Sequence, residues 1–260
     1  MLAIIVPVYN EADSLPKLVD AIRDCLDGVE HELIVVDDDS SDGSGELAEQ
    51  LARERGNIRV VHRGNKLGVA SAIAEGVKVA SGDVIGTINA DMQHPPQLLP
   101  VMLQQLDGHG IVVGSRHVAG GHNNETTWRK FVSSVARTIA RVLLPRTRSV
   151  RDQMSGFFLF RREVIAGIEV LPASSPKNIS IGFKFLLGLL VKGSYESVVE
   201  VPYTFERRKA GKSKFVLSDR FAYVRYVLYL MRTSGEFWRI LKFALVGGSG
   251  IGVNMGVLFL

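Results

Sequence analysis

The sequence predicts an α/β domain built on a mostly parallel sheet, and three observations carry that reading. Over residues 1–115 short, continuously apolar runs alternate with segments whose apolar residues recur at helical spacing. The apolar runs are too short for helices and lack the polar alternation of half-solvated strands, so they read as strands covered on both faces. Polar clusters fall at the carboxyl ends of these runs, which is where open parallel sheets bind ligands.

Taken in order, "LAIIVPVYN" is a first strand that ends in a Pro-containing loop, and Leu15–Leu26 follows as a helix with Leu15, Leu18, Val19, Ile22 and Leu26 on one face. "HELIVVDDDS" is a second strand ending in acids, before a helix through Glu46–Arg55. "NIRVVHR" is a third strand, Val69–Ala80 a helix, and "DVIGTINAD" a fourth strand stopped by the Pro95–Pro96 pair. Leu98–Leu106 is a helix and "GIVVGSR" a fifth strand. Beyond residue 120 the pattern changes. Trp128–Leu144 is an amphipathic, basic helix carrying Arg129, Lys130, Arg137 and Arg141. "SGFFLFRRE" and "SYESVVEVPYTFERR" read as strands, with a helix near Ile181–Val191 between them.

With 260 residues the chain can bury a sizeable core, as one large domain or a domain with an appendage. A mean hydropathy of +0.15 is high for a soluble protein and points to apolar surface outside that core. The single cysteine, Cys25, excludes an intrachain disulfide and fits a reducing, cytoplasm-facing location. The start lacks a basic n-region and a cleavage signal, so no secretory peptide is expected. Phe243–Leu260 has no charged residue and is rich in glycine, which suits a membrane span better than a soluble helix; a buried C-terminal helix is the alternative. Val216–Met231 mixes aromatics with arginines and lies next to that run, as interfacial helices do. For Trp128–Leu144 a bilayer-surface helix and a helix capping the domain are both open. Net charge +4 and pI ≈ 9.2 suggest an anionic partner. No aromatic RNA platform or helix-turn-helix accompanies the basic residues, so nucleic acid is not expected.

The chemistry sits at the strand ends. Asp37-Asp38-Asp39 closes the second strand, and three adjacent carboxylates are costly unless they accept hydrogen bonds, which a nucleotide's ribose or base would give. Asp39 also suits a helix cap with Ser40 and Ser41. Pro7, Tyr9 and Glu11 in "VPVYNEADSL" could flank a flat base and a sugar edge. Asp38 beside them and Asp91 at the fourth strand complete a candidate nucleotide pocket. "TINADMQHPPQ" puts Asn89, Asp91, Gln93 and His94 at a strand lip. On residues alone this is a metal site, a weakened metal site or a polar turn, with His94 a turn hydrogen-bonder rather than a ligand.

"VPVYNEADSL", "VVDDDSSDGS", "RGNKLGVASAIAEG" and "NADMQHPPQLLP" stand in the order and spacing of inverting family-two glycosyltransferases with a GT-A (Rossmann-like) fold, which the chain resembles over about residues 1–217. "GSRHVAGG", "RDQMSGFFLFRRE" and "FERRKAGKSKF" resemble the dolichol-phosphate mannose synthase branch, in its archaeal-type form with membrane helices. The resemblance implies a catalytic domain at 1–215, an interfacial helical segment at 216–240 and a transmembrane helix at 241–260. It implies a nucleotide, expected as GDP, held by Pro7, Tyr9, Glu11, Val36, Asp38, Asn89, Ala90 and Asp91. It implies a divalent ion, Mg²⁺ or Mn²⁺, on Asn89, Asp91 and Gln93, where Asn89 replaces the family's usual Asp and makes the metal site a weakened one. An amide oxygen can coordinate such ions but brings no charge.

The activity implied is transfer of mannose from GDP-mannose to dolichyl or another polyprenyl phosphate, with inversion, at the cell membrane and with the catalytic domain facing the cytoplasm. Arg116, Arg129, Ser133, Arg208 and Lys214 would meet acceptor or donor phosphates, the last two from an "RxxGxSK" lid, and Asp152 would orient a sugar hydroxyl. A phosphate acceptor is already ionised near neutral pH, so no general base is expected. A UDP-sugar donor such as UDP-glucose, and an impaired nucleotide-sugar-binding variant due to Asn89, are the alternatives.

Overall fold

The computed structural model describes residues 1–168, 184–206, 218–235 and residue 237. The strands are β1 (Leu2–Val8), β2 (His31–Asp37), β3 (Ile58–His62), β4 (Val84–Thr87), β5 (Ile111–Ser115), β6 (His122–Asn123), β7 (Phe158–Arg161), β8 (Val198–Pro202) and β9 (Thr204–Phe205). The helices are α1 (Leu15–Cys25), α2 (Ser44–Arg55), α3 (Val69–Val79), α4 (Leu99–Gln105), α5 (Thr127–Leu143), α6 (Phe185–Lys192) and α7 (Ser218–Thr233). Among the described residues one sheet has the order β3-β2-β1-β4-β7-β5-β8, and β6 pairs with β9 in a small second sheet. Within the large sheet only β7 is antiparallel to its neighbours, β4 and β5.

Strand alternation divides the core. Leu2, Ile4 and Val6 of β1 pack with Leu15, Leu18 and Ile22 of α1 on one face. Ala3 and Ile5 pack with Ala72, Ile73 and Val77 of α3 on the other, a face that α6 extends. This two-sided burial is why the strands read as continuous apolar runs. α3 approaches β1 closely at Gly76, where a Cβ would meet the Ile5 side chain. A third cluster joins α5, α6 and α7 through Ala140, Leu187, Tyr223, Val227 and Leu230.

Three expectations need correction. "SYESVVEVPYTFERR" is not one strand. Tyr203 donates its N–H to Ser115 at the end of β5 while its carbonyl accepts from His122, so the chain leaves the large sheet there and continues as β9. The strand from "DVIGTINAD" pairs only to Thr87, leaving Asn89–Gln93 as a shaped turn. The strand in "SGFFLFRRE" gives way at Arg162 to a 3₁₀ turn, Arg162–Ile165.

The described part of the segment assigned to an interfacial helix, α7, docks its inner face on α5 and α6. No helix among the described residues is long and apolar enough to cross a membrane, and Phe243–Leu260 lies outside them.

One test of the sheet's packing is Gly114. A Cβ there would lie 2.7 Å from Phe157 Cδ1, and Phe157 is fully buried. Gly114→Ala is expected to cost about 1–3 kcal/mol through overpacking, read as a lower urea midpoint at unchanged slope. Gly64→Ala, with nothing within 4 Å of its Cβ, should stay within about 0.5 kcal/mol of wild type.

Candidate active site

Among the described residues, three non-glycine residues have left-handed backbone: Asn10 (φ 55°), Asp39 (φ 65°) and Met92 (φ 58°). They stand just beyond the carboxyl ends of β1, β2 and β4, the three adjacent strands whose ends carry the predicted nucleotide residues. Such conformations persist only where surrounding bonds hold them, and they gather at functional sites. The holding bonds are visible. Asn10 N–H donates to Ser40 Oγ (2.9 Å) while Asn10 Oδ1 accepts from Ser41 N–H (2.8 Å). Glu11 N–H donates to Ser44 Oγ (2.8 Å) and Ala12 N–H to Asp42 Oδ2 (3.1 Å). The first two loops are thus stitched together, presenting Tyr9 and Glu11 at the rim. Lys66 Nζ lies 4.0 Å above the Tyr9 ring.

Asp38 is buried, but its partners belong to the chain. Its oxygens accept Leu67 N–H (2.9 Å) and Gly68 N–H (2.7 Å) and pair with Arg63 (3.0 Å). It therefore fixes the 63–68 loop, and the cost of its charge is met without a ligand. Pro7 and Val36 face each other in register across β1 and β2. The Val36 and Ala90 side chains are packed in the two core clusters, so neither can line a pocket; only their main chain is available to a nucleotide.

At the β4 lip, Asp91 Oδ1 accepts Gln93 N–H (3.2 Å), and Gln93 Nε2 donates to the Glu206 carbonyl (2.7 Å). A carbonyl can only accept, so this bond fixes the amide's orientation and turns Gln93 Oε1 away from Glu206. Gly156 allows the Asn89 amide to sit close by, since a Cβ there would lie 3.4 Å from both its Oδ1 and Nδ2. The donor set is one carboxylate and two amide oxygens. Such hard oxygen donors fit Mg²⁺ or Mn²⁺, with substrate oxygens completing the shell. No group of three His, Cys, Asp or Glu among the described residues could hold a metal by itself.

His94 is not a ligand. It stacks on Phe157 (5.2 Å between ring centroids) and its Nδ1 accepts Asn89 N–H (3.3 Å). Burial, reinforced by the charge of Arg116, pushes it down to about 3, so it is a neutral acceptor that steadies position 89. Tyr203 meets His94 edge-on and its hydroxyl is buried. Tyr203 also meets Phe205 edge-on, and the Arg116 guanidinium lies 4.9 Å from the Phe205 ring, so this aromatic cluster links the His94 side of the site to the Arg116 side.

The far half centres on Arg116, which follows β5. Its guanidinium grips Asp152 with two 2.8 Å bonds, and its main-chain N–H adds a third (3.1 Å). Asp152 is fully buried, so the role expected for it, orienting a sugar hydroxyl, is excluded: substrate cannot reach it and both its oxygens are engaged. Burial alone would raise its carboxyl, but the Arg116 charge and hydrogen bonds outweigh burial and hold it below the usual carboxylate range. Glu200 on β8 accepts the N–H groups of Arg151 (2.7 Å) and Asp152 (2.9 Å). Arg129 on α5 is exposed and forked onto both oxygens of Glu125 (3.0 Å each), and Ser133, one turn on, is half-buried. Arg208 and Lys214 lie outside the described residues.

Sequence reasoning missed Lys66, Glu200 and Glu206. Glu200 had a signal, a lone charge inside the apolar strand "VVEVP". Lys66 and Glu206 had none, since one acts by a loop's path and the other through its main chain.

The Asp152 pair makes a pH prediction. Because the folded carboxyl sits below its ordinary range, the pair's contribution is complete at neutral pH and is lost as pH falls below about 4. Asp152→Asn should cost about 3–5 kcal/mol at pH 7 by leaving Arg116 buried and unpaired. In urea melts from pH 7 to pH 3 the gap to wild type should narrow on the acid side. A constant gap would assign the loss to something other than this charge.

Fold and site together describe an α/β protein whose polar residues gather beyond the carboxyl ends of a mostly parallel sheet. The model for glycosyl transferase family 2 matches residues 3–168, and the chain belongs to that family. It is 42% identical over 260 residues to a dolichol-phosphate mannosyltransferase of Pyrococcus furiosus, covering 99% of this chain and 71% of that one. It is 32% identical to the Saccharomyces cerevisiae dolichol-phosphate mannosyltransferase over 262 residues (93% and 94% of the two chains). Polyprenol monophosphomannose synthase of Mycolicibacterium smegmatis is 35% identical over 219 residues (81% and 79%). Among solved structures, glucosyl-3-phosphoglycerate synthase of Mycobacterium tuberculosis, in complex with Mn²⁺, UDP and glucosyl-3-phosphoglycerate, superposes with a TM-score of 0.62 at 21% identity. It covers 90% of this chain and 79% of its own, and it supports the fold. The protein is a glycosyltransferase.

Proposed function

We propose that this glycosyltransferase moves mannose from GDP-mannose to the phosphate of dolichol or another polyprenol, with inversion. The observation that carries the acceptor assignment is the state of the carboxylates on the Arg116 side. Asp152 is tied to Arg116, Glu125 to Arg129, and Glu200 to two main-chain N–H groups. A hydroxyl acceptor would need a carboxylate poised to take its proton. A phosphate monoester needs none, being ionised already, and is suited to a face rich in guanidinium groups. The names of the relatives at 32–42% identity agree with this acceptor and with mannose.

The chain's own residues divide the work. Tyr9, Glu11 and the loop held by Asp38 receive the nucleoside, Asn89, Asp91 and Gln93 lie toward its diphosphate, and the Arg116 side receives the acceptor. A divalent ion on Asn89, Asp91 and Gln93 would supply positive charge to the departing diphosphate. His94 keeps the Asn89 main chain in place, and Glu206 keeps Gln93 Oε1 aimed. Arg208 and Lys214, which the resemblance aligns with a lid, would complete the donor side.

Membrane attachment is part of the proposal. Trp128 and Phe131 on α5 stack with ring centroids 5.9 Å apart while each is about 60% exposed, and Val135 and Val142 continue that stripe. Val224 and Leu228 of α7 are exposed beside Arg225 and Arg232. Aromatic and aliphatic side chains flanked by arginines suit a lipid headgroup boundary, and the lipid acceptor requires one. The cytoplasmic face fits the free thiol of Cys25.

Two experiments test the reading. Purified protein in detergent is offered GDP-mannose or UDP-glucose with a polyprenyl phosphate, with and without Mn²⁺. Mannosyl transfer from the GDP-sugar is expected, and transfer only from the UDP-sugar would replace mannose by the alternative donor. Second, Asn89→Asp should lower the half-saturating Mn²⁺ concentration and raise turnover at limiting metal, with metal-free GDP affinity little changed, because an anionic ligand holds the ion better than an amide. Identical metal titrations would remove position 89 from the ligand set. No turnover in wild type with recovery in Asn89→Asp would instead favour the impaired-variant reading.

A further inference from the structure

The positive charge of this chain is gathered in one stretch. Residues 126–151 hold seven Lys or Arg and no Asp or Glu, against a net charge of +4 for all 260 residues, so the rest of the protein is net acidic. The stretch runs from the N-cap of α5 through the turn that follows the helix. The same helix carries the exposed apolar residues Trp128, Phe131, Val135 and Val142. These fall at i, i+3, i+7 and i+14, so they line one face over about 21 Å of helix. Tyr223 Oη donates to the Ala136 carbonyl, which brings α7, with exposed Val224 and Leu228, against the middle of α5.

At the end of this face the chain folds two arginines onto each other. Arg148 Nε donates to the Arg141 carbonyl (2.9 Å), and Arg141 Nη2 donates to the Arg148 carbonyl (3.2 Å). The first bond caps an orphan carbonyl of the last helical turn, and neither bond neutralises a charge. Both residues are exposed, and among the described residues neither pairs with a carboxylate. Arg146, by contrast, is engaged by the carbonyls of Val191 and Gly193. Arg141 and Arg148 each keep further N–H donors for an outside acceptor. Two like charges fixed in one corner raise the local positive potential, which an anion bridging them would lower. Arg141 adjoins Val142, which is 59% exposed, so that anion would stand at the edge of an apolar surface. A phosphodiester attached to an apolar body fits both features. The corner lies roughly 18 Å along α5 from Arg129, so it is separate from the residues aligned with the acceptor phosphate.

We propose that the Arg141–Arg148 corner binds the phosphodiester headgroup of an anionic phospholipid, so that the apolar face of α5 and α7 rests on an acidic bilayer in preference to a neutral one. The site rests on the membrane-attachment reading given above and adds the class of lipid that the attachment selects.

Trp128 reports on this face, and Trp238→Phe leaves it as the only tryptophan. The full chain with that change is placed in mixed phosphatidylcholine–phosphatidylglycerol vesicles, with bromine on the acyl chains of one lipid at a time. Brominated phosphatidylglycerol is expected to quench Trp128 at least about fivefold more effectively than brominated phosphatidylcholine at the same mole fraction, the effect of one cationic side chain at an anionic surface. High salt should shrink the difference. Arg141→Gln with Arg148→Gln should bring the two lipids to equal quenching. Arg141→Lys with Arg148→Lys alters the same fork but keeps both charges, and should retain most of the difference; a thermal melt checks folding of both pairs. Equal quenching by the two lipids in the parent protein would overturn the headgroup site and leave membrane attachment standing. Absence of quenching by either lipid would overturn both. A phosphatidylglycerol preference that survives in the Gln pair would overturn the assignment to Arg141 and Arg148. Single-stranded RNA bound by the chain in detergent, with the same dependence on the two arginines, would make this a nucleic-acid face and overturn the lipid assignment.

Discussion

The buried Arg116–Asp152 pair is the contact on which the β5 side of the candidate site depends. It joins the end of β5 to the turn that precedes β7, and Glu200 extends the connection to β8 by holding the main chain of Asp152. Such a pair adds little net stability compared with apolar packing, but once present neither partner can be removed cheaply. Its value lies in definition. The guanidinium is fixed in one orientation, 4.9 Å from the Phe205 ring, where a lone arginine would sample many positions.

That fixation explains a division between the halves of the site. On the nucleotide side, polar side chains are spent on shaping loops: Ser40, Ser41, Asp42 and Ser44 hold the loop after β1, and Asp38 with Arg63 holds the loop before α3. The groups left to meet a ligand are held in place before one arrives, the condition under which electrostatic stabilisation costs no reorganisation. On the acceptor side the surplus is positive charge, set on a helix whose opposite face is apolar and exposed. α5 therefore presents guanidinium groups on one face and exposed apolar side chains on the other.

The strands of the first half were legible because burial on both faces leaves a plain signature, as in "LAIIVPV" and "LIVV". The insertion of β7 between β4 and β5 was not, because nothing in "FLFR" records which neighbours it will have or in which direction. The positions of the candidate site residues were legible: Asp38, Asp91 and Gln93 lie beyond the strand ends where the sequence put them, and His94 makes a hydrogen bond within its turn. What a carboxylate binds could not be read. Asp38 and Asp152 each read as ligand groups, and both are engaged by arginines, one 25 and the other 36 residues away in the chain. A charge's partner is a fact of three dimensions, and the resemblance supplied the residues without supplying their internal company.

The placement of β7 also sets an order of assembly. β4 and β5 touch no common ladder except through the four residues of β7, which come 43 residues after the last residue of β5. During synthesis β1 to β4 can close around α1 and α3 while the next edge of the sheet stays open, and β5 has no seat until Phe158–Arg161 emerges. The β1–β4 side of the site is then complete before the Arg116 side exists, and the open edge of β4 is a segment for a chaperone to guard in the meantime.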